Sequence, residues 1–315
     1  MRKIIRTLAT GILATGAVAA MALCGHADEA SYKVGVSLTT ITDPVFAVFS
    51  QKFPAACEER GWECTLVSSE QDASAQLTQV ENMITAGIDA LIIYPPDEAT
   101  FEDILGQAQE KGIKVLTWDF ELQNANMSWL VKNYDLGLLI GQQAGEWINE
   151  HYDGECEVAV LDYALLPVIV ERANGILDGI AQTAPKAKVV AQDSAVTTDV
   201  GLTVSENMLQ AHPDIKVFAC IGDGGGLGAN EALKSKGANL EEYGIFCADA
   251  SKQALASMQN HEAIRMTVSL GKPKDWCVTL TDAIETMMTS DNYEKQLYKV
   301  AYPVTEENLE EYMAE

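Results

Sequence analysis

Two stretches of this 315-residue chain repeat one another: "ENMITAGIDALIIYPPD" from Glu81 and "ENMLQAHPDIKVFACIGD" from Glu206, an offset of 125 residues. The flanking runs keep step, "VGVS" at Val34 with "VAVL" at Val158 and "TWD" ending at Asp119 with "CAD" ending at Asp249. A repeat that spans a helical segment and the apolar run after it predicts two similar α/β halves. Ten apolar runs of strand length support this: "KVGVSLT", "ECTLVSS", "ALIIYP", "KVLTWD", "SWLVKN", "EVAVLDY", "KVVAQDS", "VFACIG", "YGIFCAD" and "IRMTVSL". Continuous apolar runs separated by segments of helical period predict parallel strands covered on both faces. Ten are too many for one small doubly wound sheet. The expected fold is α/β, with two similar doubly wound parallel-sheet lobes and a ligand cleft between them.

The N-terminus has a different composition. Arg2, Lys3 and Arg6 precede a sixteen-residue apolar and small-residue run from Leu8 to Leu23, followed by Gly25-His26-Ala27. That run is short of the roughly 20 residues that span a bilayer, and the small residues suit cleavage before Asp28. Residues 1–27 therefore read as a secretory signal peptide, which places the mature chain in the periplasm or another extracytoplasmic space. A second reading makes Cys24 a lipid-anchored N-terminus, although Leu23 is bulky where such motifs want Gly or Ala.

Cleavage removes three basic and no acidic side chains, which moves the formal charge from −25 to −28. So acidic a surface repels nucleic acid and keeps an exported protein monodisperse. A monomer with no nucleic-acid partner is expected. Six cysteines remain, and Cys57 and Cys64 are close enough in sequence to pair. Without a CxxC or CxxH pair, and with four His in the whole chain, a zinc site has little support.

In open parallel sheets ligands lie beyond the carboxyl ends of the strands. The polar residues there are Ser37 to Asp43, Asp119, Asp162 with Tyr163, Gly222 with Asp223, and Asp249. For any single Asp among them, a helix N-cap or turn role competes with a ligand role. Gly224, Gly226 and Ala229 also fit the G-x-G-x-x-G/A spacing of a dinucleotide turn, with Asp249 ending the next apolar run. An NAD-dependent oxidoreductase is therefore the alternative of a different class. Against it, the glycines come late in the second half and their first-half counterpart is the glycine-free "YPPDEAT".

The segments "GVSLTTITDPVFAVFSQKF", "IDALIIYPPDEA", "GIKVLTWDF", "LGLLIGQQAGEWI", "ERANGI", "AHPDIKVFACIGD" and "VAYPVTEENLEEY" follow one another in a familiar order. Over nearly its whole mature length the chain resembles the periplasmic sugar-binding proteins of ABC importers, the ribose- and galactose-binding group. The resemblance implies a three-strand hinge, with crossings near Lys132 to Asn133, Gly271 to Lys272 and Gln296 to Lys299. The first lobe would then comprise residues 31–132 and 271–296, and the second 133–270 and 297–315. It further implies a non-enzymatic solute-binding protein without a cofactor, which closes over a monosaccharide or similar small polar solute and delivers it to an ABC permease. Signalling to a chemoreceptor or a sensor kinase is the alternative within that fold.

Residue by residue, the resemblance assigns Asp43 to a hydroxyl and Phe46 to stacking on the sugar ring, and makes Asp119 and Asp249 the carboxylates of the two lobes. Arg172 matches the Arg of an R-x-x-G motif, and Ser37 sits near the ring. Elementary chemistry agrees: sugar hydroxyls donate and accept, so fixed carboxylates and a guanidinium give directional hydrogen bonds, while the C–H faces of the ring call for aromatic partners. The aromatic candidates are Phe46, Trp118, Phe120, Trp129, Tyr163 and Trp276. The chain departs from the group at Asp119-Phe120, where an Arg usually follows the Asp, and at Gly222-Asp223, where Asn-Asp is usual. Leu270 stands near a customary Gln, and Val196 near a customary aromatic. These changes remove polar contacts and leave the identity of the solute open.

Overall fold

A computed structural model describes residues 31–41, 44–97 and 99–313, with the side chains of residues 44 and 45 excepted. The signal peptide and the Cys24 reading fall within residues 1–30, outside the described residues, and so does Asp43. In chain order the first half is β1 (Lys33–Leu38), α1 (Pro44–Glu59), β2 (Glu63–Ser68), α2 (Ala73–Ala86), β3 (Ala90–Ile93), α3 (Glu102–Glu110), β4 (Lys114–Trp118) and β5 (Met127–Leu130). The second is α4 (Asn133–Tyr152), β6 (Glu157–Asp162), α5 (Pro167–Thr183), β7 (Lys188–Ser194), α6 (Thr198–Ala211), β8 (Ile215–Cys220), α7 (Asp223–Ser235), β9 (Gly244–Ala248), α8 (Lys252–Gln259) and β10 (Ile264–Ser269). The chain ends with α9 (Pro273–Thr289), β11 (Gln296–Tyr298), β12 (Tyr302–Thr305) and α10 (Leu309–Met313).

All ten apolar runs are strands, and the repeat reappears in the topology. The first sheet has the order β11-β5-β4-β3-β1-β2 and is parallel throughout. The second, β12-β10-β9-β8-β6-β7, differs only in that β12 runs antiparallel to β10. Each sheet carries an apolar cluster on both faces. Val34, Val36 and Leu38 pack with Phe49 and Trp118 on one side of the first sheet, and Leu91, Ile93 and Val115 pack with Leu105 on the other. This double burial is why the strands read as unbroken apolar runs rather than alternating ones.

The chain passes between the sheets from β5 into α4, from β10 into α9, and from β11 into β12. β11 pairs with β5 as far as Tyr298, so Leu297 and Tyr298 belong to the first sheet and the last passage covers 299–301. The division drawn at 296 and 297 falls too early, because backbone pairing of a three-residue edge strand leaves little trace in side-chain pattern.

The tightest helix contact sets up the second half. A Cβ on Gly137 of α4 would strike the carbonyl of Arg172 on α5, and one on Gly175 would strike the carbonyl of Tyr134. The two backbones lie against each other because these positions carry no side chain. The approach places Arg172 beside Asn133, the first residue of α4.

Candidate ligand site at the strand ends of the two sheets

Asp119 follows β4 and Asp249 follows β9, in equivalent positions of the repeat, and both have left-handed backbone with φ of 63° and 112°. Non-glycine residues seldom adopt that conformation, though Asp tolerates it better than most. Arg172, on α5, is 8% exposed. Its Nε and Nη2 donate to Asn133 Oδ1 at 3.0 and 2.7 Å, and Nη1 donates to the Ile221 carbonyl at 2.6 Å. Burial lowers the pKa of the guanidinium, while the carboxylates of Asp249 and Asp119 act in the opposite direction. One guanidinium thus lies within electrostatic reach of an acid from each sheet.

The first sheet contributes an aromatic wall. Phe46, half-buried on α1, lies 5.1 Å from Tyr94 and 5.3 Å from Trp118 between ring centres, and Tyr94 lies 5.9 Å from Phe120. Trp118 continues the array to Trp129 at 4.9 Å and Trp276 at 5.5 Å. Trp118 and Trp129 are 1% and 2% exposed, so they are core, whereas Phe46, Tyr94, Phe120 and Trp276 are half-buried. Ser37 is fully buried, and its Oγ has no hydrogen-bond partner among the described residues. Tyr163, after β6, is half-buried against the core of the second sheet.

Asp223 is placed otherwise than the sequence reading expects. It is 3% exposed, and its carboxylate accepts from Thr267 Oγ1 at 2.6 Å and from the Ser251 amide at 2.7 Å. It braces β10 and the start of α8 from within and offers no open face to a solute. Burial pushes its pKa up, against those hydrogen bonds. Neighbouring Gly222 precedes α7, and a Cβ there would come within 3.0 Å of Asp249 Oδ2, so its bareness gives the Asp249 carboxylate room. Asp162 is likewise occupied, accepting from Ser194 Oγ and Gln192 Nε2, each at 2.8 Å.

The glycine run does not form a cofactor turn. Gly224 and Gly226 lie inside α7, where a Cβ on Gly224 would strike the Val196 carbonyl and one on Gly226 would press on Cys247 Sγ at 3.1 Å. The glycines serve helix packing, which removes the observation on which a nicotinamide cofactor rested. Among the described residues no group of three or more His, Cys, Asp or Glu is arranged to hold a metal. Nor is any helix among them long and apolar enough to cross a membrane.

One residue of the region has no counterpart among those named from sequence. Lys299, in the third passage between the sheets, donates from Nζ to Asp119 Oδ1 at 2.6 Å. Its position at a predicted boundary gave no sign of this, because its partner lies 180 residues earlier.

A two-sheet α/β architecture with paired acids at equivalent strand ends defines a class of two-lobed binding proteins, and sequence comparison agrees. The family model for the periplasmic binding protein domain matches residues 34–275, and the chain belongs to that family. Its members are extracytoplasmic binding proteins rather than enzymes. The chain is 30% identical over 237 residues to the ribose import binding protein RbsB of Bacillus subtilis, covering 75% of each chain. It is 21% identical to the Escherichia coli ABC transporter periplasmic-binding protein YphF, over 80% of this chain and 79% of that one. Among solved structures, a periplasmic ribose ABC transporter protein from Conexibacter woesei superposes with a TM-score of 0.79 at 18% identity, covering 90% of this chain and 95% of that one. A solute-binding protein of Actinobacillus succinogenes with bound D-allose gives 0.76 at 21%, covering 89% and 100%.

Proposed function

We propose that this chain is the exported, non-enzymatic binding subunit of an ABC importer, and that it captures a monosaccharide or similar polyhydroxylated solute between its two lobes. The observation that carries the reading is the convergence of Asp119, Arg172 and Asp249, from both sheets, on one region at the strand ends. Two partly open carboxylates around a buried guanidinium suit sugar hydroxyls, and Phe46 and Phe120 are partly exposed rings suited to the C–H side of a sugar. Ser37 and Tyr163 lie at the carboxyl ends of β1 and β6, and Asp43 follows β1 in sequence. Relatives named for ribose and D-allose support a sugar of that size.

The mechanism is hinge closure about the three passages. A solute that touches both lobes makes its full set of contacts only when they close, so binding draws the population toward the closed form. A permease that recognises the closed form would then receive loaded protein. Export by cleavage of residues 1–27 is the route that brings the chain to its substrate.

A thermal-shift screen over pentoses, hexoses, polyols and nucleosides tests this. A ligand at a hundred times its Kd adds about 2.7 kcal/mol to apparent stability. At least one sugar is expected to raise the melting temperature of the mature protein by several degrees, and Asp249→Asn is expected to abolish the response. A chain that responds to no sugar or polyol, or a variant that responds like the wild type, would overturn the assignment.

A further inference from the structure

Lys299 is the most enclosed cation of the site region. Its side chain is 3% exposed, and Nζ lies 4.6 Å from the ring centre of Trp129, 5.3 Å from Trp118 and 5.4 Å from Trp276. The rings come from β5, β4 and α9, and the backbone amide of Lys299 donates to the Leu130 carbonyl at 2.8 Å, which seats the residue on β5. A buried ammonium is expensive to remove from water, and three indole faces together with one carboxylate offset that cost. The charged groups that bear on it are Asp119 from the end of β4 and Arg172 from α5, with Asp249 acting on Arg172 in turn. Burial lowers the pKa of the ammonium, Asp119 opposes the shift, and Arg172 adds to it.

The ion pair is one-sided. The lysine is enclosed, whereas the Asp119 side chain is 30% exposed, and only its Oδ1 accepts from Lys299. The residue after Asp119 is Phe120, so the adjacent position supplies no cation.

We propose that Lys299 is the positioning residue of Asp119. From its tryptophan box it holds the carboxylate by Oδ1, leaves Oδ2 to accept from a solute hydroxyl, and supplies from the hinge the cation that the neighbouring position lacks. The proposal rests on the reading of Asp119 as a solute carboxylate. It also ties solute recognition to the third passage, because the side chain that orients the acid belongs to the segment about which the lobes turn.

The test compares Lys299→Met, which fills the box without charge, with Asp119→Asn, the double variant, Lys299→Gln, and Trp62→Phe as a disturbance of the first sheet's core outside the box. Each is titrated calorimetrically with D-ribose, L-arabinose, D-allose and myo-inositol. Lys299→Met and Asp119→Asn are each expected to weaken the sugar that binds by about tenfold or more, and the double variant to lose no more than the worse single one. Lys299→Gln, which keeps a donor for Oδ1, falls between Lys299→Met and the wild type. Trp62→Phe, which loosens the same core away from Lys299, lowers the melting temperature with affinity kept, which separates positioning from support of the fold.

Hydrogen exchange of the sugar-free proteins gives a readout that needs no ligand. The Asp119 amide donates to the Trp129 carbonyl at 2.8 Å, and the segment 117–122 is expected to exchange faster in Lys299→Met. If the wild type binds no sugar or polyol of the wider screen either, faster exchange in that segment upholds the positioning and the sugar reading fails by itself. Affinity within twofold of wild type in Lys299→Met, additive losses in the double variant, or unchanged exchange at 117–122 would overturn the proposal.

Discussion

Asp223 and Asp249 each follow an apolar run of the second half, but their carboxylates have opposite surroundings. Asp223 is enclosed and bonded to Thr267 and Ser251, whereas Asp249 is exposed, stands beside Gly222 and accepts from the Asp223 amide at 3.4 Å. Asp223→Ala leaves a buried hydroxyl and a buried amide without their acceptor and is expected to cost about 2–4 kcal/mol in urea unfolding. Asp249→Asn is expected to act chiefly on the sugar response. The raised pKa of Asp223 also has a sign in pH. Above the ordinary aspartate value of about 4 the denatured chain has lost a proton that the native chain keeps. Stability from this group therefore falls as pH rises from there through the raised native value, and Asp223→Asn is expected to flatten the slope. Among the thiols, Cys64 is half-buried and lowered by the hydrogen bond from Cys57, while burial pushes half-buried Cys156 up to about 12. Iodoacetamide at neutral pH should modify Cys64 well before Cys156, as read by peptide mass spectrometry; the reverse order would contradict the pairing of thiols across α1 and β2.

In the helix pair α4 and α5, small residues fix where Arg172 sits. Gly137 and Gly175 let the backbones touch, and that approach sets Arg172 against Asn133 and the Ile221 carbonyl. Gly175→Ala inserts a methyl group into the Tyr134 carbonyl and is expected to cost about 1–3 kcal/mol of stability. It should also weaken the sugar response by shifting Arg172, whereas a change at Gly237, where a Cβ meets nothing within 4 Å, should not touch binding. At this scale the strands were the most legible elements, because burial on both faces demands unbroken apolar runs such as "ALIIYP" and "VFACIG". β11 and β12 escaped because, with three and four residues and partly exposed side chains, backbone pairing rather than a hydrophobic pattern defines them. The glycines of α7 were legible as a motif and misleading as a function, since close helix packing and phosphate approach ask for the same missing Cβ.

For the whole molecule, two sheets joined by three passages predict a domain rotation on loading. Small-angle scattering of the mature protein with and without saturating sugar should show a smaller radius of gyration when loaded; equal profiles would argue against closure. The amino-acid sequence by itself determined the two-lobed α/β architecture, the family, and the acids at the strand ends, because apolar runs and repeats are local and survive along the chain. Only the tertiary structure decided which acids are enclosed and which are partly open to solvent. Asp119, Asp223 and Asp249 look alike in sequence, and their difference lies in partners that folding brings from elsewhere: Thr267 is 44 positions from Asp223, and Lys299 is 180 from Asp119. The role of a charged side chain is set by what surrounds it in space, since burial and the nearest opposite charge govern its energy, and the order of residues along the chain carries no direct record of either.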